Sequence, residues 1–157
     1  MELSNKNFNE YSLIYIGGGN TYKLLKDLKE YSNFDKITDY LDNEGVIFAG
    51  SAGASIFGKD INCCLLEDDN NVNLSDLSGF NCLDDYSILC HLNELNFNKN
   101  KEYLKGYSKE FKTLYIPVED VLFISDNEIK MIGDKDCVMF DNGEYYWYSC
   151  SVFEKLF

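Results

Sequence analysis

Ser51 is enclosed by residues with little or no side chain, in the run Gly45-Val46-Ile47-Phe48-Ala49-Gly50-Ser51-Ala52-Gly53-Ala54. Val46 to Ala49 read as a buried strand, and Ala54-Ser55-Ile56-Phe57 is compatible with a helix. A serine on a sharp strand-to-helix turn presents its hydroxyl as a nucleophile, and only small neighbours fit around it. The pattern here is small-x-Ser-x-Gly, with Ala49 where the familiar elbow has glycine. The chemistry this would serve is acyl transfer. A tight packing turn is the competing reading of these ten residues, so the partners of Ser51 must decide between them.

Two further features supply such partners. Tyr11 to Ile16 reads as a buried strand and runs into Gly17-Gly18-Gly19-Asn20-Thr21. Three glycines at a strand end let the backbone approach a ligand and turn its amides inward, toward a phosphate or an oxyanion. No Gly-x-Gly-x-x-Gly and no Gly-Lys-Ser/Thr is present, which leaves the phosphate reading weak. His91, the only histidine of the chain, ends the apolar run Tyr86-Ser87-Ile88-Leu89-Cys90. A serine nucleophile needs a general base, and His91 is the only imidazole available. Between the two lies the acidic cluster Glu67-Asp68-Asp69, one member of which could orient the imidazole.

These residues need a frame. Apolar runs predict strands near 12–16, 45–50, 86–90, 113–116, 121–124, 128–132, 137–140 and 145–149. Periodicity predicts helices near 21–30, 33–43, 53–58 and 99–111, the first with Leu24, Leu25 and Leu28 on its apolar face and Asn20 or Thr21 as its cap. Asp141-Asn142-Gly143-Glu144 reads as a hairpin turn leading into an aromatic edge strand, Tyr145 to Tyr148. Early strand-helix alternation and late hairpins predict an α/β fold. Its mostly parallel sheet is flanked by helices and extended by antiparallel strands. Both glycine loops then fall at the carboxyl ends of adjacent parallel strands, where open α/β sheets place ligands.

Composition bounds the rest. At 157 residues with 45% hydrophobic residues the chain reads as one globular domain, 1–157. A formal charge of −13 argues against nucleic acid and anionic membranes as partners. No apolar run approaches a membrane span, and the first residues do not read as a signal peptide. The expected location is therefore the cytoplasm, with the 6 cysteines reduced. Cys63-Cys64, Cys82 and Cys90-His91 raise a zinc site as an alternative, but no Cys-x-x-Cys pair supports it. The expectation is no metal and no cofactor.

The Gly-Gly-Gly-Asn-Thr loop, the Ser-Ala-Gly-Ala elbow and the strand-end histidine together resemble the dipeptidase E and cyanophycinase family of serine peptidases, with its class I glutamine amidotransferase-like fold. The likeness runs from about Leu13 to the region of Gly133. It takes in Leu74-Ser75-Asp76-Leu77-Ser78-Gly79-Phe80 ahead of the histidine strand, and Ile116-Pro117-Val118-Glu119-Asp120 at a later strand. The resemblance implies Ser51 as nucleophile and His91 as base. It places the triad acid between them, Asp69 first and Asp68 in reserve. The oxyanion donors it implies are the amides of Gly18 or Gly19 and of Ala52, and the substrate a short peptide.

Departures from the family pattern bear on the same expectations. Family members carry further strands and helices before the triple-glycine strand, where Met1 to Glu10 stand here, so the first strands of the family domain are expected to be lacking. A sheet shortened in this way would expose an edge and part of a face, predicting either a homodimer that buries it or a marginal, aggregation-prone monomer. The resemblance also implies an arginine gripping a substrate aspartyl carboxylate. Every basic residue here is a lysine, so Lys99, Lys101 or Lys105 would act only as point charges. Two function classes follow: a serine peptidase working through an acyl-enzyme, or an inactive remnant or binding protein of the same fold. An α/β-hydrolase esterase fits less well, because that fold places its histidine far beyond the elbow and His91 lies only 40 residues on.

Overall fold

The computed structural model describes residues 5–153. The chain opens with a 3-10 turn, Phe8–Glu10, and enters β1 (Ile14–Ile16). Helices α1 (Thr21–Glu30) and α2 (Asn33–Asp42) follow, then β2 (Ile47–Ala49) and the short α3 (Ala52–Ser55). After a 3-10 segment, Asn62–Leu66, come β3 (Ser87–Leu92), α4 (Glu94–Tyr107) and β4 (Thr113–Pro117). The last part holds β5 (Val121–Ile124), β6 (Ile129–Ile132), β7 (Cys137–Asp141), β8 (Glu144–Tyr148) and α5 (Cys150–Phe153).

Strand pairing is parallel early and antiparallel late, as the alternation predicts. β1 and β2 pair in parallel, Ile14 opposite Ile47 and Ile16 opposite Ala49. The second sheet has the order β3-β4-β7-β8, its β3–β4 pair parallel and the rest antiparallel. β5 and β6 form a separate hairpin. The burial of β3, at one end of this sheet, and of β4, inside it, follows from their residues. Both are apolar almost without break and almost wholly buried, as strands covered on both faces must be. β8 ends the sheet on the other side, and its Tyr145 and Trp147 rings pack against Phe97 of α4. Asn142 and Gly143 turn the β7–β8 hairpin with φ of 52° and 80°, the left-handed pair that a two-residue turn of this kind requires.

Helix α1 is capped by Asn20, whose Oδ1 accepts the Lys23 amide at 2.9 Å, and it buries Tyr22, Leu25 and Leu28. Helix α4 differs from expectation. It spans Glu94–Tyr107 and not 99–111, because Asn93 caps it by accepting the Asn96 amide at 2.9 Å. Its start therefore lies directly behind His91. The core runs from α1 through α3 and β3 to β4 and β7, with Tyr22, Leu25, Ile56, Leu89, Tyr115 and Phe140 sealed from solvent.

Candidate active site

Ser51 sits between β2 and α3 at φ 53° and ψ −120°, a conformation residues with side chains avoid at a cost of about 1–3 kcal/mol. The surrounding backbone holds it there. The Gly50 amide donates to Ile16 O at 3.0 Å, fastening the turn to the end of β1, and the Ala54 and Ser55 amides both donate to Ser51 O. Gly53 is required at its place. A side chain there would collide with the Ile16 and Gly17 carbonyls, on which α3 rests directly. The small residues around Ser51 thus allow the sharp strand-to-helix turn that a nucleophile elbow requires.

His91 approaches from β3. Its backbone is also left-handed, φ 66°, at a point where the β3–β4 register shifts between Leu89 and Leu92. Such a bulge re-aims a side chain. The Nε2 atom lies 2.8 Å from Ser51 Oγ, within hydrogen-bond reach. Both side chains are half-buried. Chemically the pair can pass a proton from hydroxyl to imidazole.

The glycine loop closes over the same point. A Cβ placed on Gly18 would sit 3.2 Å from Ser51 Cβ and 3.6 Å from its Oγ, so Gly18 borders the Ser51 side chain directly. Gly19 has φ 142°, which only glycine adopts readily. Among the described residues, the amides of Gly18, Gly19 and Ala52 donate to no protein acceptor.

The acidic cluster divides its tasks. Asp68 Oδ2 accepts both the Thr21 amide at 2.8 Å and its hydroxyl at 2.6 Å. Asp69 gives its backbone carbonyl to Asn20 Nδ2 at 2.9 Å. Together these bonds lash the acidic segment to the start of α1 and so to the glycine loop. Among the described residues no hydrogen bond joins either aspartate to the His91 ring. Glu67 is exposed as a residue, yet partial desolvation of its carboxyl raises its pKa, an effect that the positive charge of His91 opposes. Sequence reasoning counted Glu67 in the cluster without singling it out, and its electrostatic coupling to the imidazole arises from tertiary placement that no local spacing reveals.

Cys90 lies beside His91 and is 7% exposed. Burial pushes its thiol up to about 12, and its Sγ donates to Ser51 O at 3.6 Å. It is a buried thiol bonded to the Ser51 backbone. The six cysteines are all free, and among the described residues no three His, Cys, Asp or Glu side chains are grouped to hold a metal. Also among the described residues, no helix is long and apolar enough to cross a membrane. Of the lysines on α4, Lys105 pairs with Glu144 at 3.6 Å and Lys101 lies over the Phe97 ring, while Lys99 is exposed.

Comparison with known proteins points the same way. The Salmonella newport (strain SL254) Peptidase E is 25% identical over 134 residues, which cover 84% of this chain and 53% of that protein. The Haemophilus influenzae (strain PittGG) Peptidase E is 45% identical over 49 residues, 31% of this chain and 21% of that one. The chain thus spans about half the length of the Salmonella relative. Its fold matches a crystal structure of a putative Peptidase E protein from Listeria monocytogenes EGD-e, with TM-score 0.61 and 22% identity, over 94% of this chain and 64% of that one. It also matches a peptidase from an acI-B1 Actinobacterium, with TM-score 0.63 and 17% identity, over 93% of this chain and 62% of that one. The family model for Peptidase family S51 matches residues 2–132, and the chain belongs to that family.

Proposed function

We propose that the protein is a serine-type peptidase acting on short peptides, with Ser51 as nucleophile and His91 as general base. The observation that carries this reading is the 2.8 Å approach of Ser51 Oγ to His91 Nε2 from two left-handed backbone positions. Ser51 Oγ attacks the scissile carbonyl while Nε2 takes its proton. The resulting oxyanion is received by the amides of Gly18 or Gly19 and of Ala52, which have no other acceptor among the described residues. As the C–N bond breaks, His91 returns the proton to the leaving amine and an acyl-enzyme remains. Water, deprotonated by His91, then attacks the ester carbonyl and frees Ser51.

The acidic arm stabilises the imidazolium. The family resemblance assigns Asp69 to orient His91, with Asp68, whose carboxylate already holds Thr21, in reserve. Glu67 adds negative potential at the ring. The chain has no arginine, so no bidentate clamp for a carboxylate side chain is available and the substrate class stays short peptides in general. The test is covalent labelling of Ser51 by a fluorophosphonate, with peptide turnover falling roughly 10⁴- to 10⁶-fold in Ser51→Ala. A second reading, an inactive binding protein of the same fold, is favoured by the lack, among the described residues, of a hydrogen bond from Asp68 or Asp69 to the His91 ring. It predicts a folded protein that neither labels nor turns over.

A further inference from the structure

His91 holds a backbone conformation that a residue with a side chain resists, φ 66° at the register shift of β3. Such a conformation persists only where the surroundings over-determine it. Two side-chain amides do so here. The His91 carbonyl accepts Asn96 Nδ2 at 3.0 Å and Asn93 Nδ2 at 3.2 Å, which uses both of its lone pairs. Asn93 Oδ1 in turn accepts the Asn96 amide at 2.9 Å. The three bonds close a ring that joins the end of β3 to the first turn of α4. On the far side of the same residue, Nε2 points at Ser51 Oγ.

We infer that Asn96 is a positioning residue, whose side-chain amide locks the left-handed His91 peptide and thereby aims the imidazole at Ser51. Asn96 is half-buried, whereas Asn93 is exposed and water replaces its amide more readily. The inference rests on the reading of Ser51 and His91 as the reacting pair. It adds a task for the first turn of α4, which begins at Glu94 so that its third residue can reach back to the His91 carbonyl.

The test is Asn96→Leu, which keeps the branching at Cγ, keeps the backbone amide that Asn93 caps, and favours helix more than asparagine does. Expected is a fall in kcat of about 10- to 100-fold with KM within about twofold and thermal stability held. His91 is the only histidine, so the imidazole gives a single assignable set of NMR signals, and these are expected to shift in the variant. Asn96→Asp is the second variant. A carboxylate in the first turn supports the helix, yet cannot donate to a carbonyl. Turnover within twofold of the parent together with unmoved imidazole signals would overturn the inference, as would a loss of kcat matched by a loss of folding in both variants. If the parent protein neither turns over peptide nor labels at Ser51, the peptidase reading fails on its own. The clamp is then decided by the imidazole signals alone, a shift supporting it and constancy overturning it.

Discussion

The Ser51 hydroxyl and the Cys90 thiol are the two candidate nucleophiles at this turn, and burial separates them. The Cys90 thiol is desolvated, pushed up to about 12, and spends its proton on the Ser51 carbonyl, so at neutral pH it is neither ionised nor accessible. Iodoacetamide applied to the folded protein at neutral pH is therefore expected to leave peptide turnover unchanged, read by assay with mass mapping of the thiols. Inactivation tracking alkylation of Cys90 would place the nucleophile on sulfur. At this scale much of the site was legible in the sequence. Ser51 and the glycine loops announce themselves through residues that only a tight turn needs, and His91 through being the sole imidazole. The division of labour among Glu67, Asp68 and Asp69 was not legible. It depends on Thr21 and Asn20 reaching across 47 and 49 residues.

Among the elements, α3 carries the tightest constraint. Its Gly53 rests against the Ile16 and Gly17 carbonyls at the end of β1, which places Ser51 beside Gly18. Gly53→Ala is expected to destabilise the fold by about 1–3 kcal/mol, the usual effect of overpacking a site that cannot give. The midpoint of a urea titration checks it, and an unchanged midpoint would show that α3 is free to shift. The parallel pairing of β1 with β2 and the late hairpins followed from apolar runs and turn residues. The start of α4 did not. Its buried stripe of Phe97, Asn100 and Leu104 contains a polar member, which blurs the apolar period, and the first turn is held by the Asn93 cap.

Among the described residues, nothing covers one face of the β1–β2 pair. Ile14, Ile16 and Ile47 turn toward the core, whereas Leu13, Tyr15, Val46 and Phe48 are 53–64% exposed, the Tyr15 and Phe48 rings stacked 5.9 Å apart. Parallel strands are ordinarily covered on both faces. The patch has no charged side chain in a chain of net charge −13, and its exposed area is on the order of 400 Å². Two copies meeting through it would bury about twice that as an apolar centre, and a surrounding rim brings the total near the ~1,200 Å² at which specific interfaces begin. The expected state is a dimer joined there, seen by light scattering as twice the chain mass and returned to one by Phe48→Lys. A stable, cooperative monomer of the parent chain would contradict it. The central claim concerns a single atom among the many hydroxyls of this molecule, and covalent capture reads it most directly. Fluorophosphonate treatment of the folded protein, followed by peptide mapping, is predicted to give one adduct, on Ser51, greatly slowed in His91→Ala. An intact fold that carries no adduct at Ser51 would contradict the account.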